Sequence, residues 1–148
     1  MNIAYFLHPK QSVAYLYEDS TLRQGLEKMR HHGYSAVPVV TRQGRYVGTV
    51  SEGDFLWRLL PEKGAPCPCS IKDLERLRIR DILKKDSYPP VAITVSIEEL
   101  VTSAMNQNFI PVVDDLNNFI GIVTRRDIIC RLAEETGEGS PSLQKKIV

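Results

Sequence analysis

One short pattern occurs twice in this chain at a fixed offset of 73 residues. A Pro-Val-Val run is followed, at constant spacing, by a glycine and an aspartate, first as Pro38, Gly48 and Asp54 and then as Pro111, Gly121 and Asp127. Six of the twenty aligned pairs between residues 37–56 and 110–129 are identical, and the differences concentrate in glycine- and asparagine-containing turns. Loops vary more readily than packed strands. The pattern therefore predicts one supersecondary unit that is present twice.

Size and charge restrict the class of protein. The 148 residues suffice for one ordinary domain or two small units, and 43% of them are hydrophobic. The net charge of +1 favours neither nucleic acid nor an anionic membrane as a partner, and no apolar run approaches the length of a spanning helix. The apolar stretch at the start is too short for a signal peptide. Three cysteines are typical of a reducing compartment. We expect a cytoplasmic protein.

Periodicity predicts the same order of elements in each half: strand, helix, strand, strand, helix. The first half also begins with a predicted strand at 3–7. Its first helix spans 21–32 and ends at Gly33, and its second is capped by Ser51. In the second half, Thr124 caps a helix that directs Ile128, Ile129 and Leu132 inward. We divide the chain into unit 1 (1–62), a linker with a short helix (63–77), unit 2 (78–133) and a flexible C-terminal tail (134–148).

The repeated Gly-x-x-[Ser/Thr]-x-x-Asp segment lies where a strand turns into a helix. Ser51 and Thr124 place a hydroxyl at a helix N-terminus, where unpaired N–H groups favour an anion such as phosphate. Asp54 and Asp127 follow one turn later, and a carboxylate accepts two hydrogen bonds, as the vicinal hydroxyls of a ribose require. The alternative is that each segment only caps its helix, because Ser/Thr-x-x-Asp is close to a capping box.

Taken twice, with Arg78-Ile79-Arg80-Asp81-Ile82-Leu83 between the copies, this pattern resembles the CBS domain family. The resemblance covers residues 1–133 as a tandem pair, often called a Bateman module. It implies a mixed α/β (α+β) fold of two β-α-β-β-α units, packed through their sheets about a pseudo-two-fold axis. It also implies two clefts that often bind adenosine-containing nucleotides, and frequent dimerisation.

The resemblance assigns roles by position. Asp54 and Asp127 would hold ribose hydroxyls, and Ser51 and Thr124 would contact ribose or phosphate. The base would be bordered by four residues of the Pro-containing strands: Val37, Pro38, Ile110 and Pro111. In this family the extended segment before the first helix serves the partner unit's cleft, which pairs Thr94 with Ser51 and Asp54, and Tyr15 with Thr124 and Asp127. The chain departs from the family at Tyr15, where a small hydroxyl residue is usual.

The two copies differ beside the site. Glu52 and Gly53 in the first correspond to Arg125 and Arg126 in the second. Arginine adds charge-assisted hydrogen bonds to a phosphate, whereas a carboxylate repels it. We therefore expect the Asp127 cleft to bind the more anionic ligand, unless these side chains point to solvent.

Several other residues invite a functional interpretation. Cys67 and Cys69, with His31 or His32, would make a zinc set, but Cys-x-Cys in a Pro-rich linker is not the usual spacing, and we expect no metal site. Redox sensing by this cysteine pair stays an alternative. His8 has no role that the sequence indicates.

No combination of nucleophile, base and orienting group is evident, so we expect no enzymatic activity. The leading hypothesis is a regulatory module that requires no cofactor. It would sense AMP, ADP, ATP or a related adenosine compound, form a homodimer and control an effector protein of unknown identity. The alternative is a structural or oligomerisation module with empty clefts.

Overall fold

A computed structural model of the protein describes residues 2–60, 71–84 and 86–137. The described residues fall into two compact units. One belongs to Ala14–Ser87, and the other joins Met1–Val13 to Tyr88–Val148. We call them the Asp54 unit and the Asp127 unit, after the repeated aspartate that each contains.

The described elements follow the predicted order in both units. The strands are β1 (His8–Pro9), β2 (Leu16–Tyr17), β3 (Ala36–Val40), β4 (Tyr46–Ser51), β5 (Val91–Ala92), β6 (Phe109–Val113) and β7 (Phe119–Thr124). The helices are α1 (Leu22–His32), α2 (Glu52–Leu59), α3 (Ile71–Arg76), α4 (Ile79–Ile82), α5 (Ile97–Asn106) and α6 (Arg125–Glu135), with 3₁₀ turns at Ile3–Tyr5 and Lys10–Ser12. Across these residues we find no helix with both the length and the apolar character that crossing a membrane requires. The mixed α/β class is confirmed.

Each unit is built on an antiparallel hairpin with one parallel neighbour. The Asp54 unit has the sheet order β2-β3-β4, and the Asp127 unit has β1-β7-β6-β5. In both hairpins the proline lies opposite the residue after the glycine, and the register shifts near the end of the first strand, after Val39 and after Val112. The same irregularity at equivalent positions shows that the repeat is structural as well as sequential.

Local signals fix the ends of the main helices. The Thr21 side chain accepts a hydrogen bond from the Gln24 N–H, and Oε1 of Gln24 accepts one from the Thr21 N–H, which forms a capping box at α1. Gly33 ends the helix in the left-handed conformation, with φ of 70°, which a residue without a Cβ adopts at little cost. Both boundaries agree with the sequence prediction.

Each unit has its own apolar core. The core of the Asp54 unit is formed by side chains from the sheet and three helices, namely Leu16, Leu22, Met29, Val37, Val39, Val50, Phe55, Ile79 and Ile82. That of the Asp127 unit consists of Ile3, Phe6, Leu100, Ala104, Ile110, Val112, Val123 and Ile128. Burial of such side chains is the main favourable term in folding.

The core of each unit also contains the segment that precedes the other repeat. Ile79 and Ile82 are buried in the core of the Asp54 unit. Ile3 and Phe6 are buried in the core of the Asp127 unit, although they begin the chain. The predicted linker helix is present as α3, whereas Pro61–Ser70 and most of the predicted tail lie outside the described residues.

Two local predictions were wrong. Residues 3–5 form a 3₁₀ turn and not a strand, because the Asn2 side chain accepts from the Ala4 N–H and the turn brings Ile3 and Phe6 to the core together. In α6 only Ile128 is buried, while Ile129 and Leu132 are 56% and 41% exposed. An apolar stripe at helical spacing does not reveal which part of it another element covers.

Candidate functional site

The Asp54 site is a closed hydrogen-bonded turn at the start of α2. The Ser51 hydroxyl accepts from the Asp54 N–H at 3.3 Å. In return, Oδ2 of Asp54 accepts from the Ser51 N–H at 2.9 Å and from the Ser51 hydroxyl at 3.1 Å. The Asp54 side chain is only 8% exposed, and Nζ of Lys84 lies 3.7 Å from its Oδ1. The carboxylate orientation is therefore set by Ser51 itself.

The Asp127 site has the same backbone but a different partner. The Thr124 hydroxyl accepts from the Asp127 N–H at 3.2 Å, as at Ser51. The Asp127 carboxylate, however, is paired through Oδ2 with Nε2 of His8, and the two side chains are 29% and 33% exposed. Within the described residues, the bond that Asp54 accepts from the Ser51 N–H has no equivalent at Thr124. The Asp127 carboxylate is held from outside its own helix.

The two motif glycines allow close approach, as the sequence indicated. A Cβ built on Gly121 would overlap the carbonyl oxygen of His8 and lie 2.9 Å from a Leu7 methyl. A Cβ on Gly48 would meet Leu83, 3.1 Å away. The group that approaches is in each case the segment that precedes the other repeat.

These contacts reveal a second repeat. At an offset of 76, the segment 3–8 aligns with 79–84. Two aligned pairs are buried, Ile3 with Ile79 and Phe6 with Ile82. In a third pair, Leu7 contacts Gly121 and Leu83 contacts Gly48. The alignment places His8 opposite Lys84, and each lies at the repeated carboxylate of its unit. Sequence reasoning missed both residues. The signal was present, but its offset differs from the 73 of the main repeat.

The residues expected to border a base lie in the central strands. Val37 and Ile110 are fully buried in the cores of their units, so their side chains face inward. Pro38 and Pro111 are buried next to them. Strand β2 pairs only with Val39 and Val40, and β5 only with Val112 and Val113, so neither extends to the proline. Contact with a base at these positions is expected through backbone groups and not through Val37 or Ile110 side chains.

Arg125 and Arg126, which follow Thr124, differ in their surroundings. Nε of Arg125 donates to the Ala104 carbonyl at 2.6 Å, near the C-terminal end of α5, where a cation is favourable. Arg126 is half-buried, and Glu52 in the other unit is exposed. Arg125 therefore has a structural bond within its own unit, and the stronger anion preference of the Asp127 site stays a prediction.

Tyr15 and Thr94 belong to the units opposite to those of their expected partners. Tyr15 lies in the Asp54 unit, with its carbonyl accepting from Nζ of Lys28 at 2.7 Å and its ring edge-on to Tyr17. Burial, with a smaller effect of Tyr17, raises the pKa of the Tyr15 phenol. Thr94 is exposed and lies in the Asp127 unit. The pairing of either residue with a carboxylate site stays a prediction.

The described part of the chain contains no group of three or more His, Cys, Asp or Glu side chains arranged to hold a metal. His31 and His32 are exposed, and His32 stacks on Tyr34. Cys67 and Cys69 lie outside the described residues.

The chain is similar in sequence to known proteins. The sequence model of the CBS domain matches residues 7–61 and 79–134. An uncharacterized protein of Methanocaldococcus jannaschii is 26% identical over 140 residues, which cover 77% of this chain and 82% of the relative. Several other curated relatives are more than twice as long as the part that this chain spans.

Solved structures share the fold. CbpB of Listeria monocytogenes in complex with c-di-AMP superposes with a TM-score of 0.79 at 24% identity, covering 91% of this chain and 97% of that one. CBSX2 in complex with AMP gives a TM-score of 0.69 at 20% identity, covering 92% and 98% of the two chains.

Proposed function

Because the chain belongs to the CBS domain family and contains two of its units, we propose that it is a regulatory protein that senses an adenosine-containing nucleotide at the Asp54 and Asp127 sites. The observation that carries this proposal is the duplicated pairing of a hydroxyl and a carboxylate at the N-termini of α2 and α6. The ligands in the related structures, c-di-AMP and AMP, both contain adenosine and phosphate.

Each part of such a ligand has a counterpart in the site. The ribose hydroxyls donate to the carboxylate of Asp54 or Asp127, whose oxygens offer more acceptor positions than the present bonds use. The phosphate lies near Ser51 or Thr124, where the helix dipole favours an anion. The first N–H group of each helix, that of Glu52 or Arg125, already donates to the Ser35 or Asn108 carbonyl. The base lies along the part of β3 or β6 that β2 or β5 leaves unpaired. Micromolar affinity corresponds to about 8 kcal/mol, which a few charge-assisted hydrogen bonds and a partly buried base supply.

The regulatory role is proposed from the two CBS units and from the nucleotide ligands of the related structures. Nucleotide binding shifts the protein toward the conformation that binds it better, and an effector protein responds to that conformation. The size of the response is limited by the difference in nucleotide affinity between the two states. We propose no catalytic step.

The proposed assembly is a homodimer, for which α2 of the Asp54 unit and α6 of the Asp127 unit each offer candidate contacts. These helices expose large apolar side chains, among them Leu56 at 55%, Trp57 at 70% and Ile129 at 56%. Apolar patches of this kind mark interaction surfaces. Trp57→Glu is expected to lower the molar mass measured by light scattering to that of one chain, whereas Tyr5→Glu, at a residue 86% exposed outside these helices, is expected to leave it unchanged.

A structural module with empty clefts is the second candidate, and one observation favours it. Both carboxylates already accept hydrogen bonds from protein groups, Asp54 from Ser51 and Asp127 from His8. If that is their whole role, the repeated motif stabilises helix starts and binds nothing.

Calorimetric titration with AMP, ADP, ATP and adenosine separates the two candidates. Asp54→Ala and Asp127→Ala are each expected to abolish one binding event. Asp81→Ala is the matched control for Asp54→Ala, because Asp81 accepts from the Arg78 N–H at 2.8 Å in the same capping role but lies outside the main repeat. Absence of binding by the unmodified protein, together with equal loss of stability in Asp54→Ala and Asp81→Ala, would support the structural candidate.

A further inference from the structure

The two repeated carboxylates are oriented by different means. At Asp54, three hydrogen bonds within one turn connect the carboxylate, the Ser51 hydroxyl and the two backbone N–H groups. At Asp127 only the hydroxyl half of this arrangement is present in the described structure, and the carboxylate contacts His8 instead. A carboxylate that lacks the reciprocal cap bond rotates freely unless another donor holds it.

His8 is fixed by the backbone that carries it. Strand β1 pairs antiparallel with β7, with His8 opposite Ile122 and Pro9 opposite Gly121. The turn before it is anchored by Ile3 and Phe6, which are 3% and 7% exposed in the core of the Asp127 unit. The imidazole therefore reaches Asp127 from a strand that is paired with β7.

Lys84 shows what the equivalent position does when the carboxylate is already held. Its ammonium lies 3.7 Å from Oδ1 of Asp54, and its side chain is 69% exposed. A long, solvated lysine at this distance contributes little to orientation. The closer contact is found only where the cap bond is missing.

We infer that His8 is a positioning residue of the Asp127 site, which holds Oδ2 so that Oδ1 faces a ligand and accepts from a ribose hydroxyl. Oδ1 of Asp127 makes no hydrogen bond or ion pair with any described residue. This inference rests on the proposed function, because it assumes that the ligand offers a vicinal diol. It assigns to the first residues of the chain a role in the site of the second repeat.

The test is calorimetric titration of the full chain with AMP and with 2′,3′-dideoxy-AMP, which lacks the diol. All variants carry Asp54→Ala, so that the Asp127 site is observed alone. His8→Ala is expected to weaken AMP binding about tenfold, because that is the loss typical of one oriented hydrogen bond to a charged group. Binding of the dideoxy ligand is expected to change less than twofold. His8→Gln, which retains an N–H donor, is expected to restore most of the AMP affinity.

Tyr5→Ala is the control for the segment, because Tyr5 lies in the preceding turn and is exposed. Hydrogen exchange at the Ile122 amide reports whether β1 stays paired in each variant. Equal losses for both ligands would overturn the inference, as would an AMP affinity that is unchanged or higher in His8→Ala. If the protein with both sites intact binds neither AMP nor adenosine, the proposed function itself fails and the inference is rejected with it.

Discussion

Substitution of the two motif glycines by alanine provides a matched test of the segments that precede the two repeats. Gly48 and Gly121 have nearly the same backbone φ, 159° and 157°, so any conformational cost of alanine is common to both. The gain from restricting the unfolded chain is also shared. The comparison therefore isolates what each new methyl group contacts.

The contacts differ in kind. At Gly121 the methyl overlaps a backbone carbonyl of β1 and lies 3.1 Å from its carbon, so the strand itself must move by an amount on the order of 1 Å. At Gly48 the methyl meets the flexible end of Leu83 at 3.1 Å, and a shift of a few tenths of an ångström relieves it. Overpacking typically costs about 1–3 kcal/mol, and a lost backbone hydrogen bond adds about 1 kcal/mol. Alanine at either position also carries the shared backbone strain of about 1–3 kcal/mol, so we expect both variants to be destabilised. We expect the loss to be about 2 kcal/mol larger for Gly121→Ala than for Gly48→Ala.

Urea denaturation followed by circular dichroism measures both values, and hydrogen exchange at Ile122 shows whether β1 has detached from β7. If β1 detaches without global unfolding, trypsin is expected to cleave after Lys10 in Gly121→Ala but not in Gly48→Ala. Equal destabilisation of the two variants, with unchanged exchange at Ile122, would refute the assignment of residues 3–12 to the Asp127 unit.

Three further outcomes are expected. Gly25→Ala in α1 places a methyl 2.7 Å from Ile79 and 3.2 Å from Phe55, so it should destabilise the Asp54 unit by about 1–3 kcal/mol in urea denaturation, although alanine is the better helix former. Thr21→Ala removes the cap of α1 and should cost about 1 kcal/mol in the same assay, with Thr21→Ser close to the original protein. Hydrogen bonds from Asn118 lower the pKa of the Asp114 carboxyl in the folded protein. The contribution of this carboxylate to stability is therefore present above the unfolded pKa and is lost as the pH falls through the lower folded value. In urea denaturation, Asp114→Ala should be less stable than the unmodified protein at pH 7 and should approach it at acidic pH.

The main repeat was sufficient to predict the hairpins and the helices that follow them. Proline, glycine and aspartate recur at fixed spacing because each occupies a position where local geometry selects the residue, so the pattern appears in the sequence. The caps at Thr21, Ser51 and Thr124 were predictable for the same reason, since capping depends on residues three positions apart.

The assignment of segments to units was not predictable in this way. Burial of Ile79 with Leu22, or of Ile3 with Leu100, depends on contacts between residues far apart in the chain. Hydrophobic spacing shows that such a segment has an apolar face but not which core receives it. The exposed Ile129 illustrates the converse, because it is apolar and follows the buried Ile128, yet it lies on a helix face that the core of its unit does not cover.

His8 and Lys84 occupy equivalent positions that the offset of 73 does not align. The counterpart of the segment around His8 is 79–84, which the sequence prediction placed at the start of unit 2. Three additional residues separate the segment from its repeat in the first copy, and this difference hides the alignment from a comparison without gaps. When the two segments are aligned by the glycines that they contact, His8 corresponds to Lys84. His8 is paired with Asp127, which lacks a reciprocal cap bond, whereas the exposed Lys84 lies 3.7 Å from Asp54, which has one. The asymmetry between the two sites therefore arises at least as much from the segment that each unit receives as from the arginines that follow Thr124.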